Sequence, residues 1–264
     1  MLTGLVVAVS SLALGVFGLG TTAAGAASGT TCTGGPIAPG TYGSMTVTGI
    51  CAIEGHVTIK GGLTIAPGAG LDAQGLNCDV FLNVFGGITV QADGILFLGN
   101  SEGTTDQNNN PCPNSNNVVA GGIRGTNSLA VVVHGTRING GFSLSGGGGG
   151  TTCENVPGLP FPPFSDVEDS AINGGASMVG LQTCWMGFIR NQLNGGLTVS
   201  NNLMGDPDAI EIGLNTIHGG MVCAGNALDP SVPGPGGVPT NSFDGSPPNP
   251  NHVTGRQTGQ CVGL

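Results

Sequence analysis

The sequence predicts an all-β protein, a parallel β-helix (β-solenoid) that is stapled by disulfide bonds and carries loop insertions. Three observations predict it: a recurring Gly-Gly phrase, a composition rich in glycine and poor in charge, and eight dispersed cysteines. After each Gly-Gly, large and small residues alternate, which is the period of a β-strand. A phrase that recurs along the chain favours a stack of short strands over a fold with one centre. The Gly-Gly pairs begin at Gly61, Gly86, Gly121, Gly140, Gly195 and Gly219.

The spacing of these pairs predicts coils of unequal length. Successive pairs are 25, 35, 19, 55 and 24 residues apart. A coil of roughly 18 to 25 residues fits the shorter steps, and the longer steps require insertions or two coils. We expect glycine to supply the positive φ of the sharp turns, and inward Val, Ile, Leu and Phe to stack on the next coil. The best helical window, 171–181, is interrupted by glycines.

Two loops account for the longer steps. The first, 101–117, is polar and rich in asparagine, and the second, 146–169, opens on consecutive glycines and continues with prolines and phenylalanines. Each contains one cysteine, Cys112 or Cys153. Because loops on a rigid scaffold are where binding sites are usually built, we expect a site between these two loops.

The two ends of the chain differ from the repeats. Residues 1–27 have the apolar stretch and following small residues of an export signal, although no Lys or Arg precedes the stretch. A retained membrane anchor is the alternative, but about 15 apolar residues are fewer than the roughly 20 that span a bilayer. We therefore assign 1–27 to a signal peptide, 28–228 to the solenoid domain and 229–264 to a tail rich in Pro and Gly.

Charge limits the classes of partner. The net charge is −10, with 5 Lys+Arg against 15 Asp+Glu. Without a basic patch the protein has no means of neutralising a run of phosphates, which argues against nucleic-acid binding. The same scarcity of cations argues against gripping an acidic polysaccharide without a bound metal. Membrane contact is expected only through an uncleaved signal.

The eight cysteines indicate an oxidising compartment, because their number is even and all follow the predicted signal. No Cys-x-x-Cys occurs, so a zinc ribbon has no support. We expect Cys32–Cys51 to close a span about one coil long and Cys223–Cys261 to tie back the tail. The pairing of the other four cysteines is left open.

Several segments carry one recurring pattern. They are Pro39-Gly40-Thr41-Tyr42-Gly43-Ser44-Met45-Thr46-Val47, Gly55-His56-Val57-Thr58-Ile59, Ile65-Ala66-Pro67-Gly68-Ala69-Gly70-Leu71, and 215–226 with 258–261. The pattern resembles uncharacterised exported right-handed parallel β-helix proteins of Gram-positive bacteria and, more remotely, bactofilin-type solenoids, which form polymers. The resemblance covers most of 36–264 apart from the two loops and implies a parallel β-helix with no known activity.

Parallel β-helices often host pectin-degrading enzymes, and the sequence departs from the pattern of that class. A polygalacturonase-like site needs clustered aspartates, then Gly-His-Gly, then Arg-x-Lys. Here His134-Gly135 and Arg137 are present, but Asn139 stands in the lysine position and the acidic cluster at 166–169 follows the histidine. No catalytic residue is assigned. A glycosidase still needs only two carboxylates facing one cleft, so catalysis stays an alternative.

Two groups of residues are candidates for binding. Asp166, Glu168, Asp169 and Trp185 are candidate glycan ligands; the alternatives are a solvated turn for the acids and core packing for the tryptophan.

The second group, Asp206, Asp208 and Glu211, places three carboxylates within six residues. Hard cations such as Ca²⁺ prefer several oxygen ligands, and a turn initiated by Asp-Pro is the alternative. No other cofactor is expected.

The sequence favours an exported structural or adhesive solenoid of the cell envelope or extracellular space, without catalytic activity. The alternative is a carbohydrate-active enzyme or a glycan-binding β-helix. The expected partners are a cell-wall or extracellular glycan and further copies of the chain.

Overall fold

The computed structural model describes residues 29–75, 78–100, 105, 116–157, 159, 161–234, 236–242 and 247–264. The predicted signal at 1–27 and most of the predicted loop at 101–117 lie outside these residues. The described residues form thirty strands and no helix, and the strands pair in parallel. The predicted all-β parallel solenoid is therefore confirmed.

The described residues wind through nine coils around one axis; each coil contributes a strand to the long sheets A and C, and the first eight also contribute one to the long sheet B. Sheet A contains β1 (Thr30–Cys32), β4 (Met45–Val47), β7 (Leu63–Ile65), β10 (Ile88–Val90), β13 (Ile123–Thr126), β16 (Phe142–Ser145), β19 (Ala176–Val179), β23 (Leu197–Ser200), β27 (Met221–Ala224) and, after the ninth coil, β30 (Gln257–Gly259). We number each coil from its strand in sheet A.

The other sheets follow the same order along the stack. Sheet B contains β2 (Gly35–Ile37), β5 (Ile50–Ile53), β8 (Gly70–Ala73), β11 (Ile95–Leu98), β14 (Ala130–His134), β17 (Phe164–Glu168), β21 (Trp185–Ile189) and β25 (Ile210–Gly213). Sheet C contains β3 (Gly40–Tyr42), β6 (His56–Ile59), β9 (Phe81–Val84), β12 (Asn117–Val119), β15 (Thr136–Ile138), β18 (Ala171–Ile172), β22 (Gln192–Leu193), β26 (Thr216–Ile217) and β29 (His252–Val253). A short sheet D contains β20 (Gln182–Thr183), β24 (Leu203–Met204) and β28 (Ala227–Leu228).

The core is a column of apolar side chains inside the coils. In sheet A the residues that start successive strands are in register, as in Leu63, Ile88 and Ile123, and all are buried. Because each such side chain contributes about 1.5–3 kcal/mol when it leaves water, stability accumulates coil by coil. Most of the buried apolar residues form one continuous cluster from Ile37 to Cys261, and Ile95, Ala130 and Leu159 form a small second cluster.

The Gly-Gly pairs are explained by the close approach of neighbouring coils and not by positive φ, which none of them has. A Cβ on Gly140 would lie 2.7 Å from the amide nitrogen of Gly122, one coil away. A Cβ on Gly141 would lie 2.9 Å from the carbonyl oxygen of Gly175 in the next coil. The expectation that these glycines supply left-handed turns is wrong for the phrase itself. Their missing side chains let the backbones stack.

The 55-residue gap holds two coils, because Gly174-Gly175 forms a further pair of the same kind. The segment 171–181 therefore contains β18 and β19, and the loop that leaves the stack after β16 belongs to the sixth coil. In sheet A, paired residues are separated by as few as 15 positions (Thr30 and Met45) and as many as 36 (Met221 and Gln257). Coil length thus varies widely while the register is kept.

Disulfides staple the stack. Cys32–Cys51 and Cys223–Cys261 are formed as predicted, and Cys153–Cys184 ties the loop after β16 to the start of β21. Cys78 is also disulfide-bonded, and none of the described cysteines is free. Such bonds indicate an oxidising environment. Over the described ranges there is no helix with the length and apolar character needed to span a bilayer.

Part of the predicted tail belongs to the stack. In that tail, β29 extends sheet C and β30 extends sheet A, while Thr240 forms a parallel bridge with Glu211 of β25.

Buried amide ladders, which the sequence interpretation did not include, link the last coils. Asn215 Oδ1 accepts a hydrogen bond from the Asn191 amide nitrogen at 2.8 Å, and its Nδ2 donates to the Phe188 carbonyl at 2.6 Å. Asn251 repeats the contact one coil further on. Each asparagine side chain therefore forms hydrogen bonds with backbone groups at a corner of the coil, where the hydrogen bonding between strands is interrupted. A second ladder contains Asn202, Asn226 and Gln260.

Candidate functional site

The outward face of sheet B, in coils five to eight, brings most of the predicted site residues together. Met186 and Phe188 point inward and are 1% and 0% exposed. The residues between and beside them on β21 therefore face outward. Strand pairing places Phe164 beside Trp185 and Gly187 between Asp166 and Glu211.

Trp185 is half-buried and forms part of an aromatic row. Its ring lies edge-on to Phe164 with centroids 5.6 Å apart, and Phe164 lies 5.2 Å from Phe161 of the preceding loop. The rings thus connect the outer face of sheet B with the loop that leaves the stack after β16.

A cleft of about 460 Å³ lies between this loop and the sheet. The Cys153–Cys184 disulfide and two prolines form part of its wall. Among its lining residues there is no lysine, arginine or histidine. Its other lining residues are three aromatic and three acidic side chains: Phe161, Phe164, Trp185, Asp206, Asp208 and Glu211.

A larger trough of about 580 Å³ follows the Gly-Gly pairs beside sheet A. Glycine backbone and the hydroxyls of serines and threonines line it, and Arg124 is its one titratable side chain. Because the trough results from the missing side chains that coil stacking requires, we place the site at the smaller cleft.

Below the cleft, Asp166 is a buried acid that is 3% exposed. Its Oδ2 lies 2.9 Å from His134 Nε2, while Oδ1 accepts no hydrogen bond from the residues that the structure describes. Gly187 makes room for it: a Cβ there would lie 2.6 Å from both Asp166 Oδ1 and Trp185 Cη2. The glycine thus allows the carboxylate and the indole to meet.

Arg190 follows β21 and holds two acids of the preceding coil. Its Nη2 lies 2.5 Å from Glu168 Oε2, and its Nε lies 2.7 Å from Asp169 Oδ1. A second bond joins Nη2 to Asp169 Oδ2 at 3.0 Å, so the contact with Asp169 is bidentate. Arg190 and Asp169 both have positive φ, 56° and 52°, at corresponding corners of their coils.

The cluster of His134, Asp166, Glu168, Asp169 and Arg190 shifts its own pKa values. Burial raises the pKa of Glu168 to about 7, and the charge of Asp166 adds to the effect. Burial lowers the pKa of His134, but the hydrogen bond to Asp166 and the nearby carboxylates outweigh it, so the net shift is upward. The hydrogen bond to Asp169 raises the pKa of Arg190, which stays charged. Three acids thus face one permanent cation.

The three candidate metal ligands, Asp206, Asp208 and Glu211, also line the cleft. Asp206 Oδ1 accepts the Asp208 amide at 2.9 Å in the turn before β25, and Glu211 on β25 is 8% exposed. These three side chains border one cleft. In the described part of the chain, donor atoms of three side chains converge within 4.8 Å in two groups, and neither contains all three of these acids: one is Asp206 with the two cysteines of the Cys153–Cys184 disulfide. The other is His134, Asp166 and Glu168.

Sequence reasoning did not assign His134 and Arg190 to a site. Both lie next to their partners only through register: His134 pairs with Glu168 across β14 and β17, and Arg190 sits one coil after Asp169. The Gly174-Gly175 pair marks the end of the sixth coil. Treating this pair as a copy of the Gly-Gly phrase would align the sixth coil with its neighbours and bring these residues together.

No protein-family model, curated protein or solved structure matches the chain. The resemblance to exported solenoids therefore stays a prediction. The evidence on function therefore lies in the cleft and in the cluster of charged residues around Asp166.

Proposed function

We propose that this protein is an adhesive, non-catalytic β-solenoid of the cell surface or extracellular space that binds a neutral glycan. One observation carries the proposal: the cleft of about 460 Å³ is lined by three aromatic rings and three carboxylates. A cleft of this size falls within the range of about 300–1,000 Å³ that is usual for ligand sites.

The lining fits the chemistry of a neutral sugar. The apolar face of a sugar ring packs against an aromatic ring, such as that of Trp185, while its hydroxyl groups donate hydrogen bonds to carboxylates. Phe164 holds Trp185 in place at 5.6 Å, which lowers the entropy that binding would cost. Asp206, Asp208 and Glu211 would repel uronic acids and phosphates, so the proposal names a neutral glycan.

The location is supported by the disulfides, which suit an oxidising compartment, and by the signal-like segment at 1–27. The low charge of the chain, 8% of its residues, is consistent with a surface of hydroxyl and amide groups.

The test is a titration with neutral and acidic oligosaccharides from cell walls and extracellular matrices, with and without Ca²⁺. We expect a neutral oligosaccharide to bind and Trp185→Ala to weaken it more than tenfold, about 1.4 kcal/mol. Phe85→Ala is the matched control, because Phe85 is 65% exposed and lies outside the cleft.

Three outcomes would contradict the proposal. Failure to bind any neutral glycan would exclude neutral glycans as the ligand class. Equal losses of affinity in Trp185→Ala and Phe85→Ala would exclude the cleft as the binding site. Release of reducing ends that is abolished by Glu211→Gln would replace adhesion with hydrolysis. A requirement for Ca²⁺ that is lost in Asp208→Asn would support the predicted calcium ligands.

A further inference from the structure

Three donor groups of different chemistry converge on the outer face of sheet B. His134 ends β14, and Asp166 and Glu168 lie on the adjacent β17. One ligand atom from each lies within 4.8 Å of the other two. An imidazole nitrogen with two carboxylate oxygens is a donor set for divalent first-row transition ions.

The spacing of the donors suits a single ion. His134 Nε2 and Asp166 Oδ2 are 2.9 Å apart. Two ligands that bind one Zn²⁺ at about 2.1 Å with tetrahedral angles are about 3.4 Å apart. His134 Nε2 and Asp166 Oδ2 therefore need to separate by about 0.5 Å for the ion to replace the proton that they share, a change that side-chain rotation can supply.

Asp166 supplies an independent observation. It is 3% exposed, yet its Oδ1 accepts no hydrogen bond from any described residue. A buried oxygen without a partner costs about 1–3 kcal/mol, and native structures rarely leave one. An ion bound at Oδ2 would stabilise the charge of this carboxylate, which the missing hydrogen bond at Oδ1 leaves poorly compensated.

The local charge is also unbalanced. When Asp166, Glu168 and Asp169 are all ionised, they carry three negative charges, and Arg190 supplies one positive charge. In that state, with the imidazole neutral as a metal ligand has to be, the cluster has a net charge of −2, which a divalent ion cancels. Arg190 would orient Glu168 from outside the coordination sphere, as partners of metal ligands commonly do.

We propose that His134, Asp166 and Glu168 bind one divalent transition-metal ion, with Zn²⁺ the best fit. The imidazole ligand disfavours Ca²⁺ and Mg²⁺, which prefer oxygen alone. The ion enters from the side of His134 and Glu168, whose side chains are 12% and 15% exposed. This site does not depend on the proposed glycan cleft.

The experiment uses the full oxidised chain, stripped with a chelator and titrated with ZnCl₂ by calorimetry. We expect one ion per chain, a rise in Tm, and an absorption spectrum of bound ion when Co²⁺ replaces Zn²⁺. His134→Ala and Asp166→Asn should each weaken binding at least 100-fold and abolish the Co²⁺ spectrum. His218→Ala is the matched control, because His218 is an exposed histidine of another sheet corner.

Each other outcome overturns the site. Binding that survives both His134→Ala and Asp166→Asn would place the ion elsewhere, and so would binding that is lost in His218→Ala. No heat and no Tm shift with Zn²⁺ would mean that the cluster is an ion-pair network alone. Should Asp166→Asn fail to fold, His134→Gln keeps a hydrogen bond to Asp166 while removing the imidazole, and it must still lose the ion.

Discussion

Substitution of Gly219 by alanine tests whether coil stacking depends on bare backbone. A Cβ on Gly219 would lie 2.5 Å from the carbonyl carbon of Gly195 and 2.5 Å from the amide nitrogen of Gly196. Both atoms are backbone, so no flexible side chain can move aside. The eighth and ninth coils would have to separate.

The size of the effect follows from the overlap. Non-bonded carbons rest about 3.5–4.0 Å apart, so roughly 1 Å must be gained between two hydrogen-bonded backbones. Overpacking costs about 1–3 kcal/mol, and a contact with backbone belongs at the upper end. Alanine also stabilises the protein by about 0.4–1 kcal/mol, because it lowers the conformational entropy of the unfolded chain. We expect a net loss of about 2 kcal/mol.

The assay is denaturant unfolding followed by circular dichroism, with hydrogen exchange to locate the change in β23 and β27. Gly62→Ala is the matched control: it alters the same phrase, but its Cβ would lie 3.5 Å from the Gly87 carbonyl oxygen, an ordinary contact. We expect Gly62→Ala to be neutral or stabilising. Equal effects of the two substitutions would refute the stacking argument.

Three further predictions concern the ladder, the loop and the ion pairs. Asn215→Leu should cost about 3 kcal/mol in denaturant unfolding, because it leaves the Asn191 amide and the Phe188 carbonyl without partners; the exposed Asn173→Ala should cost under about 0.5 kcal/mol. Serine at both cysteines of the disulfide at 153 and 184, which are 31 residues apart, should cost about 3–4 kcal/mol and admit protease to the loop at 151–163, whereas unchanged proteolysis would show that the loop is held by packing. Arg190→Gln should cost about 2 kcal/mol, measured with chelator present, because two acids lose their cation; an unchanged midpoint would assign the pairs no net value.

The regular part of the fold was predictable because its cause is local. A Gly-Gly pair followed by alternating residues is visible in the sequence, and it marks the entry to most strands of sheet A. The pair at Gly174 is harder to recognise, because Ala176 and Ser177 follow it and lack the bulk of the residues that follow the other pairs. Cys32–Cys51 and Cys223–Cys261 were predictable from closeness in the chain and position at the ends.

The site was predictable only as separate residues. Asp166, Glu168 and Trp185 were candidates by type, but their neighbours depend on a register that spans coils of 34 and 21 residues. The amide ladders were not predictable for the same reason. Asn191, Asn215 and Asn251 can be recognised as one column only after the coils have been aligned.

Unequal coil length has a consequence for how such a chain can change. Strands keep their pairing while 15 to 36 residues separate paired positions, so extra residues leave only at the corners. Doubling a flexible loop adds only about 0.6 kcal/mol of closure entropy, which is less than one buried apolar side chain contributes. The solenoid should therefore tolerate insertions at its corners. Foreign segments placed after β16 or after β28 should alter what the surface recognises and leave the other coils intact.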